Sequence, residues 1–337
     1  MSYIKLNIEN LEEAREKVRN AFLEQDRRVA EIKDKVKIRQ AEPRRSRKLF
    51  AVDSGFNSAY TTPFTVFKAA VVNEDIEVDH SSDIYLFQVE NYQTERSRRL
   101  LMQHILYAAL AKTVKTGVAD GSIVLVDGTI TLTVFYPTIK DSKEYKQHFK
   151  NFYEKLYSPL VNECLKRDIL LLGFLKRTGA TYLAEHLGVK GLYDIHIMNS
   201  AMQDNGQYVE PIPVVDRQAK HAGNNHNYTT FYLNLKNWNY RFELLEQQKS
   251  QFLECIENLL FWATEAHYGM NPVFSKADEH ARVTKREANL MFNYVIHGLS
   301  ENERIRLRVK ARKKTHFGYK SQRILKGPME TRGGTIE

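Results

Sequence analysis

Apolar residues recur at helical spacing through the first 37 residues of the chain. Leu11, Phe22, Val29 and Ile32 fall between runs of charged residues. Apolar residues three or four positions apart form a stripe along one face of an α-helix. The pattern predicts one amphipathic helix over 9–37, whose stripe covers either the core of its own domain or the surface of a partner.

Short apolar runs follow Pro43 and the basic stretch RRSRK, and these runs predict strands. The first strand covers about 49–53, and the runs FTVFKAAVV and DIYLFQVE predict two more that form a meander with it. Three further strands are predicted over 122–127, 168–175 and 228–235, and four helices over 94–115, 142–166, 243–266 and 276–298. The polar residues 200–227 predict a loop-rich insertion. This order of elements is typical of an α/β fold with a mixed sheet.

Composition limits the class of protein. The chain has 337 residues, of which 42% are hydrophobic and 27% charged, enough to form the core of one large domain or two smaller ones. No apolar run approaches the roughly 20 residues that cross a bilayer, and the charged start predicts no signal peptide, so we expect a cytoplasmic protein without a membrane partner. Cys164 and Cys255 lack the spacing of a zinc or redox motif and are expected to be reduced, structural thiols.

Positive charge is concentrated at the two ends of the chain. Residues 1–48 carry 14 Lys and Arg against 9 Asp and Glu, and residues 301–337 carry 11 against 4. The net charge of the whole chain is +9, so the body between the basic ends is slightly acidic. Clustered Lys and Arg bind a phosphate backbone through counterion release, which favours nucleic acid as the partner. The alternative is solvated charge that serves solubility alone.

Two aspartates follow short apolar runs and precede turn-forming residues. Asp53 ends one run in LFAVDSG, and Asp127 ends another in IVLVDGT. If their strands are neighbours in the sheet, the two carboxylates emerge side by side at one sheet end. Carboxylates that close repel each other, and such a pair usually holds a divalent cation.

Other candidate residues have two interpretations each. Glu95 falls in the first turn of a predicted helix, where it is either a third acidic ligand or a partner of the helix dipole. Tyr294 and His297 lie three positions apart and therefore share one helix face. His297 is either a ligand or a packed residue of an apolar helix.

Together these motifs resemble the NurA nucleases, a family with an RNase H-like core. The likeness runs through most of the chain, from LFAVDSG through the helix near Glu95, IVLVDGTI and LLGFLKRTG to YVIH. It implies an α/β fold in which an RNase H-like mixed sheet, flanked by helices, occupies 49–300 with its loop-rich insertion at 200–227. An N-terminal amphipathic helix and basic linker over 1–48 precede this domain, and a basic C-terminal extension over 301–337 follows it.

The resemblance also implies a set of site residues. The metal ligands would be Asp53, Glu95, Asp127 and His297, with Tyr294 as an accessory catalytic residue and Glu90 as the alternative to Glu95. Lys176 and Arg177 would hold substrate phosphate. The metal would be Mn²⁺, or alternatively Mg²⁺, since a histidine among oxygen ligands favours manganese.

The activity implied by the resemblance is metal-dependent hydrolysis of DNA. It comprises 5′ to 3′ exonuclease and single-strand endonuclease activities, which serve DNA end resection for recombinational repair. The resemblance also implies that the protein works with a hexameric HerA-type translocase. We expect a homodimer, and we expect Leu11 and Phe22 on the N-terminal helix to contact a partner.

Two other functions remain open on the sequence alone. Aspartate followed by glycine and small hydroxyl residues also marks the phosphate loops of actin-like ATPases, but such a fold normally needs two duplicated halves, which 337 residues barely accommodate. A non-catalytic nucleic-acid-binding protein would need only the basic ends. Release of labelled nucleotides, compared with ATP turnover, separates these alternatives.

Overall fold

The structure is a computed structural model that describes residues 11–58, 64–86, 95–176, 179–214 and 226–302. In chain order its helices are α1 (Leu11–Ala30), α2 (Glu95–Thr116), α3 (Lys143–Phe152), α4 (Ser158–Lys166), α5 (Tyr182–His186), α6 (Asp194–Ala201), α7 (Phe252–Trp262), α8 (Pro272–Ala281) and α9 (Lys285–His297). Its strands are β1 (Ile38–Gln40), β2 (Leu49–Ser58), β3 (Phe64–Asn73), β4 (Val78–Leu86), β5 (Ile123–Asp127), β6 (Leu170–Leu175), β7 (Gln207–Val214), β8 (Tyr228–Leu235) and β9 (Trp238–Leu245). Within these described ranges, no helix is both long enough and apolar enough to span a membrane.

The described residues belong to two compact units. The first unit draws them from the ranges 1–47, 125–131 and 170–272, and the second unit from the remaining ranges. In the first unit the strands are hydrogen-bonded in the order β1, β7, β8, β9, β6 and the end of β5. In the second unit, β2 lies beside the beginning of β5, followed by β3 and β4.

Strand β2 of the second unit carries Asp53 and lies between two neighbours. It pairs antiparallel with β3, where Asp53 faces Ala70, and β3 pairs antiparallel with β4. On the other side, the Ile123 N–H donates to the Lys48 C=O at 2.8 Å, so β5 begins beside β2. The predicted meander is confirmed, and the condition that the two aspartate-bearing strands are neighbours is met at the start of β5.

The N-terminal segment is helical over a shorter range than the sequence predicts. Helix α1 ends at Ala30, and the chain then forms a 3₁₀ turn and strand β1, which pairs with β7. Val29, Ile32 and Val36 are nevertheless buried in a core cluster of the first unit. The prediction of a helix to residue 37 is therefore wrong. Ile32 and Val36 continue the apolar spacing because they pack in the same core cluster, although the helix has already ended.

Four other sequence predictions need correction. The first strand, predicted to end near residue 53, runs to Ser58, and the helix predicted over 276–298 is interrupted between α8 and α9. The segment 200–227 is not loop throughout, since β7 occupies Gln207–Val214; residues 215–225 lie outside the described part. The helix predicted from residue 243 begins only at Phe252, because the chain up to Leu245 is strand β9. The mixed α/β fold with an N-terminal helix is confirmed, whereas the basic extension beyond residue 302 lies outside the described part.

Both cysteines are buried and neither forms a disulfide. Burial raises the pKa of the Cys164 thiol to about 12, so this group stays protonated at neutral pH. The structure supports their interpretation as structural thiols.

Candidate functional site

Asp127 is the last residue of β5 and is partly exposed, because a turn at Gly128 ends the strand there. Residues 123–126 are at most 1% exposed, whereas the Asp127 side chain is 31% exposed. Gly128 has a φ of +92°, a conformation that a side chain disfavours. Its N–H donates to the Phe174 C=O at 2.9 Å, which fixes the end of β5 beside the end of β6.

A buried carboxylate holds the loop that follows this turn. The Oε2 atom of Glu243, on β9, accepts hydrogen bonds from Thr129 Oγ1 at 2.7 Å, from Ile130 N at 2.9 Å and from Thr131 N at 3.3 Å. Its Oε1 atom accepts one from Arg241 Nη2 at 2.9 Å. Glu243 is 0% exposed, so these bonds compensate a charge that is fully removed from water. The loop beside Asp127 is therefore fixed by an acid far from it in sequence.

Sequence reasoning missed Glu243, although the strand contains a signal. In YRFELL, Arg241 and Glu243 are two positions apart, so both side chains point to the same face of β9. An acid and a base on one face of an otherwise apolar strand indicate a buried ion pair.

Glycine allows the loop to approach β6 closely. A Cβ atom on Gly173 would lie 2.9 Å from the Gly128 carbonyl oxygen and 3.1 Å from the Ile130 nitrogen. Both contacts are with backbone, which cannot rotate away as a flexible side chain can. Position 173 is therefore restricted to glycine by the loop that follows Asp127.

Lys176 lies beside Asp127. It directly follows β6, and its Nζ atom is 3.4 Å from Asp127 Oδ1. The two side chains are 29% and 31% exposed, so both charges can be reached by a ligand. Arg177, predicted to act with Lys176, lies outside the described residues.

Asp53 occupies a more buried position within the second unit. It is 4% exposed on β2, and its Oδ1 atom accepts a hydrogen bond from the Ser54 N–H at 2.6 Å. The neighbouring Ser54 Oγ is buried and has no hydrogen-bond partner within the described ranges. Ser54 follows Asp53 in β2, so its side chain points to the opposite face of the sheet and is no partner of a ligand at Asp53. The Asp53 carboxylate by itself offers hard oxygen donors, which fit a divalent cation of the Mg²⁺ or Mn²⁺ type.

The chain after Asp53 is covered by the junction between α8 and α9. Asn57 Nδ2 donates to the Val283 C=O at 3.2 Å, and Lys285 Nζ donates to the Ser58 C=O at 2.8 Å. Thr284 caps α9, with reciprocal hydrogen bonds to Glu287 that form a capping box. These contacts fix the start of α9 on β2.

Helix α9 presents both of its predicted site residues to solvent. The Tyr294 side chain is 82% exposed, and His297 is also exposed, so neither is a packed residue of the core. The interpretation of His297 as a buried histidine is thereby excluded, while its role as a ligand stays a prediction.

Arg96 fixes the first turn of α2, where Glu95 stands. Its Nη1 atom donates to Asp141 Oδ2 at 2.6 Å, and its other nitrogens donate to the carbonyls of Val134 and Tyr136. Burial alone would raise the pKa of Asp141, but hydrogen bonds from Thr138 and the charge of Arg96 lower it instead. The α2 start is thus anchored, whereas the Glu95 side chain and the whole of Glu90 lie outside the described part.

A complete metal-binding cluster is not found in the part of the chain that the structure describes. No three His, Cys, Asp or Glu side chains come together there as ligands for one ion. Because the Glu95 side chain is outside that description, the predicted set of Asp53, Glu95, Asp127 and His297 stays a prediction.

Solved structures with the same fold are known. The crystal structure of the NurA nuclease from Sulfolobus solfataricus matches with a TM-score of 0.62 at 15% identity, covering 87% of this chain and 96% of that one. A crystal structure of NurA with manganese gives 0.60 at 11% identity over 86% and 99% of the two chains. Another, of NurA bound to dAMP and manganese, gives 0.60 at 10% identity over 89% and 99%. Identities this low establish the shared fold alone.

Comparison of the sequence itself gives a family. No curated protein matches the chain. The family model of the NurA domain, however, matches residues 47–283, well over half of the chain, and this range includes both β2 with Asp53 and β5 with Asp127. The chain belongs to the NurA domain family.

Proposed function

We propose that this protein is a divalent-metal-dependent DNA nuclease that hydrolyses phosphodiester bonds. The observation that carries the proposal is the NurA domain match over residues 47–283, which spans the two strands that carry candidate acidic ligands. Crystal structures of NurA with manganese, and with dAMP and manganese, have the same fold. They support Mn²⁺ as the metal and a nucleotide as the substrate unit, with Mg²⁺ as the alternative metal.

Asp53 and Asp127 would hold the metal, together with Glu95 and His297. The proposal is supported by the NurA domain match, whose range includes Asp53 on β2 and Asp127 on β5. A divalent ion in such a site would activate water and neutralise the charge of the leaving oxygen. Tyr294 would act as an accessory residue.

The protein's own side chains would position the substrate. Lys176, beside Asp127, would bind a phosphate oxygen of the substrate through its positive charge. In the bound state the phosphate would take the place of the Asp127 carboxylate as the partner of Lys176. Glu243 accepts three hydrogen bonds from the loop after Asp127, so it would keep this loop in one conformation before and after the substrate binds.

We further propose 5′ to 3′ exonuclease and single-strand endonuclease activities in DNA end resection for recombinational repair, in a cytoplasmic homodimer that works with a hexameric HerA-type translocase. The basic ends, with 14 and 11 Lys and Arg, support DNA binding. A substrate labelled at either end, digested in the presence of each divalent metal in turn, gives the polarity and the metal preference.

The central test replaces each aspartate with asparagine. Asp53→Asn and Asp127→Asn remove a negative ligand at constant size, so we expect cleavage with Mn²⁺ to fall by more than about 100-fold, since the loss of an outer partner of a metal ligand alone costs 10–100-fold. Folding, followed by circular dichroism, and DNA binding without metal should be retained. Asp75→Asn, at an exposed position of the β3–β4 turn, is the matched control and should cleave like the wild type.

Two outcomes would contradict the proposal. Wild-type cleavage by Asp53→Asn or Asp127→Asn would remove that residue from the metal site. ATP turnover without nucleotide release from DNA, in the wild-type protein, would favour the actin-like ATPase instead.

A further inference from the structure

An open cavity lies directly beside the Lys176–Asp127 pair. Its volume is about 690 Å³, within the range of roughly 300–1,000 Å³ that small-molecule sites occupy. All of its lining residues belong to the first unit, and Lys176 is one of them. The same residue therefore pairs with Asp127 and borders the cavity.

One wall of the cavity is an aromatic side chain that is held in place yet exposed. Trp238 is 50% exposed at the start of β9, and its ring packs edge-on against Tyr268 with centroids 5.4 Å apart. The preceding turn is tight, since Lys236 and Asn237 both have positive φ, of 52° and 71°. The Asn237 N–H donates to Asn234 Oδ1 at 2.9 Å, which closes this turn. Trp238 is thus presented by a rigid hairpin rather than by a loose loop.

Ordered side-chain amides fix the other face of the same hairpin, because Asn239 follows Trp238 in β9 and its side chain points away from that of Trp238. Asn234, only 1% exposed, donates to Asn239 Oδ1 at 3.2 Å, and Asn239 Nδ2 in turn donates to Asn199 Oδ1 at 3.1 Å. Asn234 and Asn239 also both donate to the Met202 C=O, at 3.3 and 3.2 Å. These bonds fix the hairpin that carries Trp238 to the end of α6.

Two chemical features of the cavity match two parts of a nucleotide. An exposed indole stacks on any base, and a lysine pairs with phosphate. A base within a duplex cannot offer its stacking face, so only an unpaired base fits this arrangement.

We propose that the cavity binds one unpaired base of a DNA strand, stacked on Trp238, while Lys176 contacts the phosphate of that nucleotide or its neighbour. This inference rests on the proposed nuclease function and deepens it. It makes the cavity a selector for single-stranded ends beside the site of cleavage.

The test compares Trp238→Ala and Trp238→Phe in DNA binding without metal, where no cleavage occurs. The probe is a single-stranded oligonucleotide and a series of the same strand with one abasic position moved along it. We expect Trp238→Ala to bind the intact strand about 5- to 100-fold more weakly, and Trp238→Phe to retain most of the affinity, since one stacked base contributes this much. When the abasic position replaces the base that stacks on Trp238, the wild type should lose affinity. Trp238→Ala already lacks this stacking, so the same abasic strand should bind it as well as the intact strand does.

The chain contains two tryptophans, Trp238 and Trp262, so a Trp262→Phe background reports on Trp238 alone by fluorescence. Quenching by the intact strand and its absence with the critical abasic strand are expected. Phe261→Ala, which removes a 46% exposed aromatic ring of α7, is the matched control and should bind like the wild type.

Equal binding of the intact strand by wild type and Trp238→Ala would overturn the inference, as would identical abasic profiles for these two proteins. Failure of the nuclease proposal is recognised separately. If the wild type cleaves no DNA with any metal, the proposed function fails, whereas base stacking is still decided by the binding and fluorescence measurements.

Discussion

At the scale of single residues, the best-determined part of the site is the loop after Asp127. Glu243 gives this loop three hydrogen bonds and is itself paired with Arg241, whose side chain is 7% exposed. Arg241 also lies over the ring of Tyr182, with 5.2 Å between the guanidinium carbon and the ring centroid. A buried pair of this kind stabilises little by itself, but the loss of one partner leaves an uncompensated charge in the core.

Glu243→Gln should therefore destabilise the protein and displace the loop. The amide retains one acceptor oxygen but removes the charge that compensates Arg241, so we expect a loss of about 3 kcal/mol in the free energy of unfolding, measured by urea titration. Single-turnover cleavage should slow, measured at a temperature where the variant is fully folded.

The control for Glu243→Gln is Glu246→Gln. Glu246 forms a partly exposed ion pair with Lys249 at 3.5 Å, so its neutralisation should change stability by less than about 1 kcal/mol. If Glu243→Gln were as stable and as active as Glu246→Gln, the buried pair would have no role in fixing the loop.

The sequence identifies residues only where local context gives a signal. Asp53 and Asp127 can be predicted because each ends an apolar run, and Lys176 because it follows another. The bonds from Glu243 to residues 129–131 span more than 110 positions, and no local pattern encodes them. The roles of Glu95 and His297 depend on distances between elements, which spacing along the chain cannot supply.

At the scale of elements, strands rich in apolar residues are predictable, whereas strands that contain proline or lead into a helical pattern are not. β3, β5 and β8 are rich in apolar and aromatic residues and occur where the sequence predicts them. β7 contains Pro211 and Pro213, which oppose a strand assignment, and it lies near the edge, between β1 and β8. The sequence does not predict β9, because its end, FELL, runs into the apolar pattern of the following helix. The turn before β9 also lacks the usual glycine, since Lys236 and Asn237 adopt the positive φ values there.

The close approach of β6 to the Asp127 loop predicts the effect of a single methyl group. Gly173→Ala would place Cβ 2.9 Å from the Gly128 carbonyl oxygen, so either β6 or the loop must shift. We expect a loss of about 1–3 kcal/mol in stability, as for other overpacked sites, together with reduced cleavage. Thermal unfolding and nuclease turnover check both effects.

Gly117→Ala is the matched control at the end of α2. The nearest atom to its added Cβ is the Thr113 carbonyl oxygen at 3.7 Å, which is an ordinary contact. Its stability should differ from the wild type by less than about 1 kcal/mol, because a compatible Gly to Ala change also reduces the entropy of the unfolded chain. Equal stability and turnover of the two glycine variants would show that the loop tolerates displacement.

At the scale of the whole molecule, α1 is divided into a covered part and an uncovered part. Val29, near its end, is 5% exposed and belongs to a core cluster of the first unit, whereas Val18 and Phe22 are 37% and 59% exposed. Val18 and Phe22 are one turn apart and so lie on the same face. The two interpretations of the amphipathic stripe thus apply to different ends of one segment: its C-terminal part packs on the core, and its middle is free of such packing. Leu11, the other predicted contact residue, has a side chain outside the described part.

We predict that Val18 and Phe22 contribute to assembly, either in the homodimer or with the translocase. Val18→Asp combined with Phe22→Asp should abolish the complex while intrinsic cleavage and folding persist, because burying one large apolar side chain contributes about 1.5–3 kcal/mol and two together change affinity by a hundredfold or more. Light scattering reports the dimer, a pull-down reports the translocase complex, and turnover of a short single strand reports the isolated nuclease. Asn20→Asp adds one negative charge at an exposed position of α1 and should leave all three measurements unchanged. Unfolding of the double variant would mean that this face also packs on its own unit. If the double variant behaved like the wild type in light scattering and pull-down, Val18 and Phe22 would contact neither partner and the prediction would be wrong. Assembly would then depend on other surfaces, such as the basic ends.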